Sequence, residues 1–177
     1  ERLYIQWGFS QFFPAKAMCA HVTSWNKNTS IKFRTDVAMM CKMGFDISLK
    51  EMNDDEMKYC QEAVANYKRL KGTYRLVSPY DTNHSSVMYV DKAKSKSVLF
   101  AYDIHPRFGE KTFPVKLQGL DPNKKYKVQE INLMPGQKST LVTDGGTFSG
   151  DFLMKIGMNV FSTAHAHSKV IELTEAH

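Results

Sequence analysis

The spacing of apolar residues divides the chain into two stretches with different periods. In the first, Glu1 to Phe13 predicts a helix, with Leu3, Trp7 and Phe9 among its apolar positions and Pro14 ending it. Ala17 to Thr23 (AMCAHVT) is short and largely apolar, the pattern of a buried strand. Ser24 to Ser30 is a polar loop. Phe33, Val37, Met40 and Cys41 then sit at i, i+4, i+7 and i+8, one face of a helix that Gly44 is placed to cap. Phe45 to Leu49 (FDISL) alternates like a short strand. Asn53 with Glu56 three residues later resembles a capping box. It opens a helix with Met57, Cys60, Val64, Tyr67 and Lys71 on one face. Helix, strand, helix, strand, helix is the rhythm of a parallel α/β sheet.

The second stretch changes to period two. Strands are predicted over Tyr74–Ser78, Ser86–Val90, Val98–Ile104, Thr112–Leu117, Tyr126–Leu133, Ser139–Val142, Phe148–Ile156 and Lys169–Thr174. Turn signals separate them, among them Asp121-Pro-Asn, Pro135-Gly136 and Asp144-Gly-Gly. Eight short strands predict a two-sheet antiparallel sandwich. The expected domains are residues 1–72 (α/β) and 73–177 (all-β).

The chain has 177 residues, too few for a complete eight-fold α/β barrel, which needs roughly 250. Its net charge of +6 is spread evenly: 11 basic against 8 acidic residues in 1–72, and 13 against 10 in 73–177. A nucleic-acid binder concentrates charge in a stripe or tail, so no nucleic-acid partner is expected. The densest cluster, Lys124-Lys125-Tyr126-Lys127, reads as a solvated loop after the Pro-Asn turn. No apolar run approaches the ~20 residues of a membrane span, and no basic-then-apolar leader pattern is read among these residues. Three cysteines, an odd number without C-x-x-C spacing, read as free thiols.

The candidate chemistry is thin. Cys19 and His21 share a strand face, as a Cys-His nucleophile pair would, but a buried thiol beside a hydrogen-bonded histidine is the commoner arrangement. His165 and His167 share the same spacing, yet a structural zinc needs four ligands and no further pair lies nearby. A metal site is therefore not expected, nor a cofactor. Paired carboxylates for glycoside hydrolysis are missing too: Asp46 lies mid-strand, Asp36 in a helix, and Asp54 and Asp55 open one.

Several motifs in order carry a resemblance. The opening ERLYIQWG resembles the segment after the Ser-Asp motif of glycoside hydrolase family 36, the α-galactosidases. PAKAMCAHVT (14–23) resembles that family's P-x-x-x-M-G-A-H-V-S stretch, and Tyr74-Arg-Leu-Val-Ser-Pro79 its YRL-x-SP segment. LDPNKKYKVQEINLMPG (120–136) continues the likeness, which is nearest to enzymes of gut Bacteroides-like bacteria. The resemblance implies the last part of a (β/α)8 barrel followed by a C-terminal antiparallel β-sandwich. Residues 17–23 would be the seventh barrel strand and 45–49 the eighth. It implies a retaining enzyme acting on raffinose-, melibiose- or α-galactosyl oligosaccharide-type substrates, in the cytoplasm or periplasm of a bacterium.

The family's two catalytic Asp motifs would both precede Glu1, so no catalytic residue is carried onto this chain, and the chain alone is expected to be inactive. His21 matches the family's histidine at the mouth of the seventh strand, and Arg34 follows the loop after it. Either they support a catalytic carboxylate from behind, or they tie the loop to the barrel rim. Two departures stand out: Cys19 replaces the family's usual Gly, and the link Leu70 to Thr73 is short. Barrel strands without their partners predict open edges and an apolar face formed by Leu3, Ile5, Trp7, Met18, Val22, Phe45 and Ile47, hence a homo-oligomer. The alternative function is a free-standing carbohydrate-binding or interaction module. The absence of Trp from residues 73–177 weighs against it, because sugar binders use exposed aromatic faces.

Overall fold

The computed structural model describes residues 2–25, 28–70, 83–162 and 166–176, and the backbone of 74–77. It divides into two compact units, Glu1–Lys71 with Met134–Gly136, and Gly72–Leu133 with Gln137–His177.

The first unit runs α1 (Arg2–Ser10), β1 (Cys19–Thr23), α2 (Ile31–Met39), β2 (Lys42–Asp46) and α3 (Asp54–Leu70). Strands β1 and β2 pair in parallel, Cys19 opposite Lys42 through Thr23 opposite Asp46. A parallel pair needs a crossover, and α2 supplies it. Ser30 starts α2 by accepting from the Phe33 amide at 3.1 Å. The capping box that opens α3 is reciprocal: Asn53 N donates to Glu56 at 3.1 Å, and Glu56 N to Asn53 at 2.9 Å. These are the strand-and-helix units of a partial (β/α)8 barrel.

Two expectations for this unit are corrected. Gly44 does not cap α2. The helix ends at Met39, and Lys42 N donates to Met18 O at 2.8 Å, so pairing starts early and Gly44 lies mid-strand. The apolar face foreseen is open only in part. Leu3 and Val22 are buried, Trp7, Met18 and Ile47 are half-buried, and Ile5 and Phe45 are exposed, together with the polar or small Cys19, His21, Lys42 and Asp46. Side chains alternate across a strand, and Ala20 and Val22 take the buried side.

The second unit is a six-stranded antiparallel sheet in the order β3-β4-β5-β8-β6-β7. The strands are β3 (Tyr74–Val77), β4 (His84–Asp91), β5 (Lys96–Asp103), β6 (Lys125–Ile131), β7 (Thr147–Ser149) and β8 (His167–Ala176). One face presents Met88, Val90, Leu99, Ala101, Tyr126, Val128, Ile171 and Leu173. Against it pack Val115, Leu117, Leu120, Leu141, Leu153, Met158 and Val160. This second layer makes the unit sandwich-like, but it is irregular. Its ladder is reduced to one antiparallel bridge, Val115 to Met158.

Three predicted strands therefore differ. Thr112–Leu117 contributes only that bridge. In Ser139–Val142, Leu141 enters a turn closed by Asp144 N onto Leu141 O at 3.0 Å, and Val142 is left exposed. Phe148–Ile156 stops as a strand at Ser149, whose hydroxyl accepts from Phe152 N at 3.1 Å and starts α4 (Gly150–Lys155). The Lys124–Lys127 cluster is not a loop. Lys125 and Lys127 lie on the solvent side of β6, while Tyr126 is buried and donates to Lys94 O at 2.7 Å. Gly157 is required where it stands: φ is +84°, and a Cβ would strike the Val115 carbonyl.

Asp91 closes the β4–β5 hairpin. Its carboxylate accepts from Ser95 N at 2.7 Å, Ser95 Oγ at 2.8 Å and Lys96 N at 3.0 Å. Partial burial opposes its charge, but these donors outweigh burial and hold the carboxyl below its ordinary 3.8. A depressed carboxylate contributes stability above its unfolded value and loses it as pH falls through the folded one. Asp91→Asn is therefore expected to destabilise the chain near neutral pH. In urea unfolding the gap from the parent should narrow as pH drops below about 4.

Candidate functional site

In strand-helix barrels, active sites open at the C-terminal ends of the strands. At that end of β1 and β2, residues 28–34 and 47–56 line an open cavity of about 240 Å³. Asn28, Thr29, Ser30, Ile31 and Arg34 line it from the first loop and α2; Ile47, Glu51, Met52 and Glu56 line it from the second loop and α3.

Arg34 is the fixed point of this wall. One turn into α2, its Nη1 donates to Thr23 O at 2.6 Å, the last carbonyl of β1. The bond ties helix to strand end, which is the rim-tying geometry. Its Nε is buried without a protein partner among the described residues. Below it, α2 is buried on most sides, its charge satisfied internally. Lys32 Nζ meets Asp36 Oδ2 at 2.7 Å, and Tyr59 OH donates to Asp36 Oδ1 at 2.7 Å. Ser24 Oγ donates to Glu51 Oε1 at 3.2 Å, linking the two loops.

His21 is not part of the cavity. Its ring lies exposed over Gly44, its register partner; a Cβ there would come within 2.7 Å of His21 Cδ2. Its carbonyl accepts from Arg2 of α1. The structure thus does not bring His21 and Arg34 to one pocket. Cys19 and His21 share the exposed strand face, as their spacing requires. Burial pushes the Cys41 thiol up to about 11, with Cys19 adding to the shift. Burial also raises Cys60, against a hydrogen bond from Thr35. Both are inert thiols. Among the described residues no group of three or more His, Cys, Asp or Glu side chains is gathered for a metal. No helix there is long and apolar enough to cross a membrane.

One polar cluster escaped the sequence reading. His84, Asp103 and His167 stand side by side in register on β4, β5 and β8. The Asp103 carboxylate is 2% exposed. It lies 3.5 Å from His84 Nε2 and 3.8 Å from His167 Nδ1. It also accepts from Ser162 N at 2.9 Å and Ser162 Oγ at 2.7 Å. Only strand register joins positions so far apart, and spacing gives no sign of it. His165, paired with His167 in the sequence reading, lies outside the described residues.

The parallel strand pair with its helical crossover is followed along the chain by a sandwich-like β unit. Two family patterns match in tandem: "Melibiase" over residues 1–76 and "Glycosyl hydrolase family 36 C-terminal domain" over residues 84–173. The chain belongs to glycoside hydrolase family 36. Alpha-galactosidase 2 of Hypocrea jecorina is 32% identical, over 98% of this chain and 23% of that protein. The crystal structure of α-galactosidase AgaB from Geobacillus stearothermophilus superposes with a TM-score of 0.81 at 27% identity, covering 99% of this chain and 24% of that one. A variant of AgaA from the same organism, in complex with raffinose, gives 0.81 at 26%, covering 99% and 24%. The chain thus spans about a quarter of the length of the relatives it matches. These relatives are bacterial and fungal.

Removing the carboxylate at Asp103 strands the buried His84 imidazole, the half-buried His167 ring and the Ser162 donors. Asp103→Ala is expected to cost about 3 kcal/mol in urea unfolding. Asp103→Asn keeps a carbonyl oxygen for Ser162 and should cost less.

Proposed function

We propose that this chain is the C-terminal part of a retaining α-galactosidase that releases terminal galactose from raffinose- or melibiose-type α-galactosides. The observation that carries the reading is the tandem of the two family patterns across the parallel strand pair and the sheet that follows it. The raffinose complex of the similar AgaA supports the substrate class. Retention uses two carboxylates about 5–5.5 Å apart, one as nucleophile and one as acid/base. By the resemblance both lie upstream of residue 1, and residues 1–72 complete the barrel that holds them. Within this reading Arg34 positions the rim by holding the Thr23 carbonyl, and His21 supports the inner strand face above Gly44. We place the parent enzyme in the cytoplasm or periplasm of a Bacteroides-like bacterium, on the resemblance alone.

The test separates the parts. The full-length enzyme is expected to hydrolyse nitrophenyl α-galactoside and to release α-galactose first, seen by proton NMR. The 177-residue chain, purified clear of host enzymes, is expected to show no turnover; turnover by it would overturn the assignment of the carboxylates. The same reading includes self-association. The two-stranded sheet β1–β2 has two unpaired edges among the described residues, and such edges template pairing with another copy. Sedimentation at micromolar concentration should show more than a 20.2 kDa species, and a lone monomer would contradict it.

A further inference from the structure

We propose that the β4–β5 hairpin end of the second sheet is a docking surface for an acidic polysaccharide, a chain of sugar rings that carry carboxylate groups. The inference goes beyond the α-galactosidase reading and does not depend on it.

Strand register assembles what the sequence keeps apart. Lys92, Lys94 and Lys96 belong to the hairpin, and Lys125 and Lys127 to β6, far along the chain. Strand β8 runs between β5 and β6, and its Thr174 pairs with Lys96 on one side and Lys127 on the other. Residues opposite each other in neighbouring strands point to the same face. Tyr126 and Leu173 take the core face, so Lys96, Thr174 and Lys127 form one row on the other. Lys125 stands beside that row, two residues back along β6. With strands ~4.8 Å apart and ~3.4 Å per residue, the backbones of Lys96 and Lys127 lie ~10 Å from each other, and Lys125 ~7 Å from Lys127.

The charge is uncompensated, and the scaffold beneath it is fixed. All five lysines are exposed, and none has an ion-pair partner among the described residues. The carboxylates at this end are engaged elsewhere. Asp91 accepts from the Ser95 and Lys96 amides, Asp121 from the Asn123 amide, and Glu175 pairs with Lys124 at 3.0 Å. Lys124 Nζ also donates to Ala93 O at 3.1 Å, and Tyr126 OH to Lys94 O at 2.7 Å. Two bonds thus tie the hairpin tip to β6. Glu172, one row further along the outer face, is buried and bounds the positive surface on that side.

The chemistry of the surface selects the partner. Residues 91–96, 124–129 and 172–176 include no arginine, and their one aromatic ring, Tyr126, is buried. Nucleic-acid binders rely on guanidinium forks and stacking rings. No large apolar side chain is exposed in these segments to enter a bilayer interface. What is present suits carboxylates and hydroxyl groups side by side. The ammonium groups meet the first. The Thr174 hydroxyl between Lys96 and Lys127, and the exposed Gln129 amide next along β6, meet the second. A polymer of uronate rings presents both kinds of group along its length.

Fluorescence anisotropy of labelled polygalacturonate with the 177-residue chain decides the matter. Neutral galactan, a DNA duplex and phosphatidylserine vesicles serve as competitors. Binding is expected at about 50 mM salt and should weaken roughly tenfold by about 200 mM, as counterion release from a few neutralised charges requires. Galactan should not compete. Lys96→Gln with Lys127→Gln should weaken binding about tenfold at low salt. Lys58→Gln with Lys68→Gln, an equal loss of charge at exposed positions of α3, should change it far less. All four lysines are exposed, so folding is not at stake. Thr174→Val keeps the charge and should weaken polygalacturonate binding about threefold, the effect of one lost hydrogen bond. No binding, equal losses in the two lysine pairs, or unchanged binding in Thr174→Val would overturn the proposal. So would DNA or vesicles that displace the label better than unlabelled polygalacturonate of equal charge. None of these readouts involves turnover, so the outcome stands apart from the hydrolysis test of the full-length enzyme.

Discussion

A parallel strand pair joined by a helix buries one face beneath that helix and leaves the other to whatever completes the sheet. Ala20 and Val22 take the helical side, so Cys19 and His21 face the other way, with Lys42 and Asp46 beside them. The same parallel arrangement puts both following loops at one end of the pair. The cavity, the Arg34 anchor and the two capped helix starts all lie there because the strands run in the same direction. Reversing either strand would scatter them.

The second unit solves a different problem. A strand such as β5 is buried from Ser97 to Asp103, so both its faces must find partners. Leu99 and Ala101 join the core with the irregular layer, while Asp103 at the strand's end carries the polar burden. Placing His84 and His167 directly across from it lets three strand ends share one carboxylate, and Ser162 draws the preceding segment onto the same atom. Burying such a group costs several kcal/mol unless its lone pairs are filled. The cluster therefore fixes the strand ends more tightly than apolar packing alone would.

Local signals were legible where one residue type had one job. Pro14 after a helix and the Asn53–Glu56 box sit where their chemistry requires, whereas the buried face of α3 is Tyr59, Cys60, Ala63 and Leu70, with Met57, Val64 and Tyr67 of the predicted face only half-buried. The alternation of β6 was equally plain, with Lys125 and Lys127 exposed and Tyr126 and Val128 buried. What failed was local preference overridden by neighbours distant in sequence. Gly44 carries the usual mark of a helix cap, yet it lies in mid-strand beneath the His21 ring. Phe148–Ile156 alternates acceptably for a strand, but Ser149 turns the backbone into a helix. At the candidate site, the sequence brought out His21 and Arg34 through a family motif. It gave no hint that they would part company, since one belongs to a strand face and the other to a helix whose angle only the packing determines.

That angle has a definite origin. Helix α2 is buried at Ile31, Lys32, Thr35, Asp36, Val37, Ala38 and Met39, so apolar contacts alone would accept several rotations about its axis. The Lys32–Asp36 pair lies within the helix and turns with it, but the Tyr59 hydroxyl of α3, donating to Asp36, accepts only one. Turning the helix by a single residue would pull Asp36 from Tyr59. The Tyr59–Asp36 hydrogen bond thus works as an index pin, setting the rotation of the helix. The direction in which the Arg34 guanidinium points is consequently set from within the packed layer, and substitutions in the solvent-facing loop should leave that direction unchanged.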